Sequence, residues 1–392
     1  MYRRILWIFL SISLLITIPL VWADDENKNF PLNPVQNHGK KWRIAYYEGG
    51  PYANYPDNLK ALAMALSDLG WLEKFVMPDF PDRQDTAQMW TWLCTHIKSD
   101  YIQFVADAFW SGNWDAELRR NNRAAVLNRM RKLKDIDLML AMGTWAGQDF
   151  ANNEHAVSTV VISASNPVRS NITKSLDDSG FDHLNVRIDP NRYQRQITLF
   201  YNTFRFQKLG IVYDKETLAG KSYAGIDDVN KNAIENGYEI IECHAPSSNT
   251  SQHVAKTAIV KCFTEIANKV DAVYITAHRG VTLDNLPALL SPLNANGIPT
   301  FAQQGSEEVR HGVLMSIAQA GFKHVGRFHA ETIARIFNGA KPRDLPQLYE
   351  EPLRIAINLK TASIIGYDPP MDILGAADEI YEEIQVAKAK SE

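Results

Sequence analysis

Short apolar runs without polar alternation recur along this chain, separated by segments of helix length. The first is Trp42 to Glu48 (WRIAYYE). After it, Leu59, Leu62, Leu66 and Leu69 repeat at three- and four-residue intervals, opened by Pro56-Asp57 and closed by Gly70. That spacing predicts a helix with one buried face. Asp137 to Gly143 (DLMLAMG) and Ser158 to Ala164 (STVVISA) are two further runs. A second series follows: Lys208 to Asp214, Tyr238 to Ala245, Asp271 to Ala277 and Ile298 to Gln303. Such runs predict strands covered on both faces, as in a parallel sheet lying between helices. The βαβαβ rhythm runs twice, which predicts an α/β protein of two doubly wound, Rossmann-like lobes.

Ser179 to Phe204 is polar and extended at first, then turns at Asp189-Pro190 into a helix, and is the expected first crossing between lobes. Beyond it come a strand at Gly312 to Ala318, a helix at Phe322 to Gly339, a strand at Leu353 to Leu359 and terminal helices. These late elements are too few to bury a core alone and must complete the earlier sheets. The expected organisation is residues 42–178 plus about 312–345 for the N-lobe, and 179–311 plus about 346–392 for the C-lobe. A chain that crosses repeatedly makes a multi-stranded hinge, and a hinged cleft is built to close on a ligand.

The beginning of the chain adds a destination. Arg3 and Arg4 precede an apolar run from Ile5 to Trp22, and Val21-Trp22-Ala23 offers a cleavage site. This reads as a secretory signal peptide, 1–23, cut after Ala23 and leading to the periplasm. The absence of Cys near position 23 argues against a lipid anchor. Residues 24–41 are polar and aperiodic, and are expected to be a flexible leader. Loss of Arg3 and Arg4 takes the formal net charge from −4 to −6, which offers no electrostatic case for nucleic acid. Of three cysteines, Cys243 ends a strand-like run and Cys262 lies in the next helix-like run. They are the candidate disulfide, although sequence leaves open whether their Cβ atoms come within bonding reach.

Ligands of doubly wound sheets sit beyond the carboxyl ends of the strands. In the first lobe those ends offer Glu48 to Tyr55, Thr144-Trp145 and Ser163 to Asn166. In the second they offer Lys215 to Tyr223, Thr276 to Arg279 and Gln303 to Ser306. Backbone amides at Gly143-Thr144 and Ser165-Asn166 are expected to open helices and hold an anion, unless Thr144 and Asn166 are simply caps. Aromatic side chains crowd the same ends and suit a flat or apolar ligand. Tyr46 reads as core, whereas Tyr52, Trp110 and Trp145 fall in loops. The candidate ligand residues are Glu48, Tyr52, Trp110, Thr144, Trp145, Asn166, Ser222, Tyr223, His278, Arg279 and Gln303.

Five segments in order resemble the substrate-binding proteins of ABC importers with the type I periplasmic binding protein fold, nearest the tryptophan- and tyrosine-type branch. They are Asp137 to Gln148 with its Gly-Thr turn, Val160 to Ile172 with its Asn-Pro turn, the strand Lys208 to Asp214, Gly326 to Pro346, and Ile357 to Pro370. Residues Val76 to Lys134 depart from the resemblance, being longer and richer in Trp. The resemblance implies a solute-binding component that delivers a small organic ligand to an inner-membrane ABC permease. The ligand would be aromatic or carboxylated, and amino-acid-like in one version. It also implies no cofactor, no metal and a monomer. The alternative is a periplasmic sensor signalling to a membrane receptor kinase.

Where the family commonly has an acidic residue for an ammonium group, this chain has His278-Arg279. Arg pairs bidentately with carboxylate, so an anionic ligand group is expected there, with Glu48 left as the ammonium partner. A surface Arg beside a buried, satisfied His is the plainer alternative. Enzyme readings lack assembled motifs. Ala219 to Ser222 (AGKS) has Lys215 where a phosphate loop needs Gly, and no Gly-x-Ser-x-Gly or His-Glu-x-x-His occurs. His324 and His329 are five apart on one helix, too far round to share a metal.

Overall fold

The computed structural model describes residues 30–387 apart from 53, 81–84, 319–321 and 351–353. The expected signal peptide (1–23) and the first residues of the expected leader lie outside the described residues.

The first sheet holds five parallel strands: β1 (Trp42–Glu48), β2 (Ile102–Ser111), β3 (Leu138–Met142), β4 (Ser158–Ile162) and β5 (Leu184–Val186). Their order is β2-β1-β3-β4-β5. β1, β3 and β4 are the runs marked by the pattern, and their residues are almost wholly buried. β2 escapes that pattern because it is the edge strand and alternates buried with exposed positions. It also resolves the Trp-rich stretch. Helix α2 (Thr86–His96) covers this edge, with Trp90 buried and its indole N–H donating to Val105 O at 3.1 Å. Helix α3 (Ala116–Lys132) returns the chain to β3.

The second sheet has order β12-β11-β10-β9-β8-β6-β7. Its strands are β6 (Lys208–Tyr213), β7 (Glu239–His244), β8 (Ala272–Ile275), β9 (Thr300–Ala302), β10 (Met315–Ile317), β11 (Ile355–Asn358) and β12 (Ala377–Tyr381). β11 runs antiparallel to β10, and the other described strand pairs of this sheet are parallel. Two short helices, Leu359–Ile365 and Met371–Gly375, follow β11 as expected, and β12 then adds a strand at the sheet edge. A disulfide joins Cys243 at the end of β7 to Cys262 in α8 (Gln252–Ile266).

Three expected boundaries move. β5 pairs with β4, so the first crossing comes after Val186 rather than at 179. β10 pairs with β9, so 312–318 belongs to the second sheet, and the return to the first lobe runs from α11 (Lys323–Phe337) on to Leu345. There α11 lies on α1 (Asn54–Asp68) so closely that a Cβ on Gly326 would meet the Ala61 carbonyl carbon at 2.6 Å. The leader is docked from Phe30 onward. Phe30 and Leu32 pack on the first core, and the Trp71 and Trp42 indoles donate to Leu32 O and Val35 O. A buried indole needs an acceptor, and this segment supplies two.

The chain passes between the lobes after β5, between β10 and α11, and again after α11. The first and last passages lie side by side, with Ile188 N donating to Gln347 O at 2.8 Å and Tyr349 N to Ile188 O at 2.9 Å.

Candidate functional site

Both sheets share one winding. β2-β1-β3-β4-β5 and β7-β6-β8-β9-β10 each reverse direction next to their first strand. Crevices therefore open at the carboxyl ends of β1/β3 and of β6/β8. The two crevices face each other across a cleft of about 1030 Å3, open space at its mouth included.

The first-lobe wall is aromatic. Pro51, Tyr52, Tyr55 and Trp114 line it, with Asn54, Ser163 and Ser165 at its edges. Tyr55 lies over the β3 turn, where Gly143 has φ +88° and a Cβ would fall 1.8 Å from the Tyr55 hydroxyl. Only glycine fits both the backbone angle and the approach. Tyr52 and Tyr55 rings stand 5.1 Å apart. Trp114 is held by its indole N–H donating to Pro51 O at 2.9 Å and by edge-on contact with Trp145. Trp145 in turn lies under the Arg119 guanidinium at 4.5 Å.

The second-lobe wall is polar. Asp214, at the end of β6, accepts from Ser247 N and Ser248 N at 3.1 and 3.2 Å, which fixes the loop after β7 against the cleft. Gln303 Oε1 accepts from Ala277 N at 2.7 Å and pins the loop after β8. In that loop Arg279 N donates to Ser247 Oγ, and its guanidinium donates to Thr250 O. Burial lowers the Arg279 pKa, and among the described residues no carboxylate is paired with it. At the hinge, Arg192 and Tyr193 close the floor, and Arg192 Nη2 donates to Gln303 O at 3.2 Å.

The lobes touch beside the cleft, so this is a closed arrangement. Ser222 Oγ lies 2.8 Å from Ser170 Oγ and donates to Ser165 O. Arg169 pairs with Asp227, and Asn54 Nδ2 donates to Gln304 O at 3.4 Å.

Of the residues anticipated from sequence, Tyr52, Tyr223, His278, Arg279 and Gln303 line the cleft. Burial raises the hydroxyl pKa of Tyr52 well above its usual value and pushes Tyr223 up to about 12, so both remain neutral. His278 does not offer a free nitrogen. Nδ1 accepts from Gly280 N at 2.9 Å, so Nε2 carries the proton and donates to Ala245 O at 3.1 Å. Burial also lowers its pKa, leaving a neutral structural imidazole.

The remaining six stand elsewhere. Glu48 is 1% exposed, and its carboxyl takes hydrogen bonds from Tyr46 and Thr86 within the first lobe. Burial raises its pKa, and it is no ammonium partner in the cleft. Trp110 packs in the first lobe with Arg129 over its ring. Thr144 is buried beneath the Ser165 turn and accepts from Ser165 N at 3.1 Å. Trp145 backs Trp114 from behind. Asn166 opens no regular helix; its Oδ1 accepts from Arg169 N inside a turn. Ser222 is occupied by the contact between lobes.

Ser247, Ser248 and Gln252 were missed, although the strand-end rule applied to β7 points straight at them. Arg192 and Tyr193 belong to the hinge helix α5 (Arg192–Phe204), which follows no sheet strand at the cleft and leaves no such signal.

Comparison with known proteins agrees with this geometry. Residues 112–381 match the family described as ABC transporter substrate binding protein. No curated protein sequence matches the chain. Among solved structures, a Streptococcus pneumoniae ABC domain in complex with L-Trp superposes with TM-score 0.67 at 17% identity. A conserved domain protein from Vibrio cholerae gives 0.64 at 15%. A ligand-free, open substrate-binding protein with adhesive properties from Clostridium difficile gives 0.59 at 16%. Each match covers 87% of this chain and 100% of the other. At such identities the likeness speaks for the fold, that of the type I periplasmic binding proteins.

Proposed function

The chain belongs to the ABC transporter substrate-binding protein family, whose members bind solutes rather than transform them, and we propose that it captures one small organic solute between its lobes and delivers it to an ABC permease. The observation behind this reading is the cleft itself. It is lined from both lobes at the topological switch points, beside direct lobe-to-lobe contacts. A ligand touching both walls binds the closed form better than the open one, and that difference shifts the balance toward closure. The closed form is then what a permease recognises.

The ligand has a flat or apolar body. Tyr52, Tyr55 and Trp114 support this, since each stacking contact contributes about 0.5–1.5 kcal/mol beyond burial. The L-Trp held by the pneumococcal protein points to the same class of body. Periplasmic residence rests on the signal-like first 23 residues.

The test is a thermal-shift screen of the purified protein against amino acids, aromatic acids, sugars and nucleosides, followed by uptake of the hit in cells lacking the gene. One class is expected to raise the midpoint by several degrees, and deletion to abolish its uptake. Uptake that survives deletion, with loss only of a transcriptional response, would replace transport by sensing.

A further inference from the structure

Charge in the cleft is one-sided. Two guanidinium groups line it, Arg279 and Arg192, and none of the described lining residues is Asp or Glu. Arg279 is half-buried, donates to the Thr250 carbonyl and pairs with no carboxylate among the described residues. A cation withdrawn from water without a counter-ion is costly, and the ordinary resolution is an anion arriving with the ligand. Its neighbours fit that use. The Ser247 hydroxyl is positioned against Arg279 N, and Ser248 and Gln252 add polar groups at the same end of the cleft.

Three carboxyls lie close by without lining the cleft: Asp214 accepts from Ser247 N and Ser248 N, Glu307 pairs with Arg310, and the third is Glu308. Glu308, at 6% exposure, lines a smaller recess of about 310 Å3 that shares Asn54, Val281, Thr282 and Gln304 with the cleft. Its Oε2 has no hydrogen-bond partner among the described residues. Burial pushes its pKa up to about 8, so at neutral pH it is a neutral acid rather than an ammonium counter-charge. Glu48, at the end of β1, is sealed inside the first lobe.

From this arrangement we infer that the solute is an aromatic carboxylate without an amine, its carboxylate against Arg279 and its ring against Tyr52 and Trp114. The inference rests on the solute-binding reading above and narrows it. An α-amino acid of the same shape would bring its ammonium beside Arg279 into a cleft whose described lining carries no carboxylate.

The experiment compares matched probes by calorimetry on the purified protein: 3-(indol-3-yl)propionate, tryptophan and tryptamine, with 3-phenylpropionate and phenylalanine as a second pair. The deaminated acids are expected to bind about tenfold or more tighter than the amino acids, with tryptamine not binding. Arg279→Met is expected to cost the acids about tenfold or more, because charge-assisted hydrogen bonds are the strong ones. Arg279→Lys should retain part of that affinity, and unchanged melting of both variants without ligand confirms their fold. Binding should not depend on the ionisation heat of the buffer. Proton release would mean that an amine has ionised Glu308, and would overturn the inference.

Equal or tighter binding of the amino acids, or an Arg279→Met variant with full affinity, would also overturn it while leaving solute binding intact. If none of the five probes binds, the inference falls. The solute-binding reading falls with it only if the wider screen of sugars and nucleosides is empty too.

Discussion

The two walls of the cleft are built at equivalent places in equivalent sheets, yet they differ in chemistry. Behind β1 and β2 the first lobe presents Tyr52, Tyr55 and Trp114, held by backbone contacts and by one another. Behind β7 and β8 the second lobe presents Ser247, Ser248, Gln252 and Arg279, held by Asp214 and Gln303. One wall provides apolar area, which grips any flat molecule. The other provides directed donors and charge, which discriminate among head groups. A ligand satisfying only one wall leaves the other wet, so selectivity and closure arise together.

The comparison breaks most severely at Gly143. Gly143→Ala forces Tyr55 away and strains the turn, and is expected to cost on the order of 2–4 kcal/mol of stability and to abolish ligand binding. Chemical denaturation and calorimetry would read both effects. Trp114→Ala comes next. It should weaken aromatic ligands by roughly 10- to 100-fold whatever their head group, the scale of a buried aromatic anchor, whereas a change at Arg279 should depend on the head group.

A third test asks whether Glu308 adds negative charge beside the second wall. Glu308 has its folded pKa raised to about 8, above the ordinary carboxyl value, so its contribution is fully present at low pH. Stability should be lost as pH rises from about 4.5 through 8, the window between the unfolded and folded values. Glu308→Gln removes that dependence. The gap in melting temperature between variant and parent should therefore widen from pH 5 to pH 8, and a constant gap would mean an ionised Glu308. The smallest effect is expected at Arg169, which touches Asp227 across the lobes but not the cleft lining. Asp227 is largely exposed, so Arg169→Ala should lower all affinities alike by only a few-fold.

Much of this architecture was legible. β1, β3, β4, β6, β8 and β9 are largely apolar runs, because sheets covered on both sides demand apolar residues at most positions, whereas the edge strand β7 showed only through Ile240 and Ile241. β2 was hidden because an edge strand has one wet face, and β5 because three residues leave too short a run. The late crossings were misjudged because β10 and α11 are neighbours in sequence but pack on different lobes, a matter of long-range pairing.

In the site, the strand-end rule found the cleft and five of its residues, Tyr52, Tyr223, His278, Arg279 and Gln303. It failed for Glu48 and Thr144 because a strand-end side chain points either into the crevice or beneath it. That choice is decided by partners such as Tyr46 and Ser165.

Small-angle scattering on the purified protein, with and without the tightest ligand from the probe set, tests closure between unlike walls most directly. The account expects the radius of gyration to fall on binding in the parent, and to fall less in Trp114→Ala and in Arg279→Met at matched saturation. A ligand that saturates the cleft without contracting the molecule would contradict it.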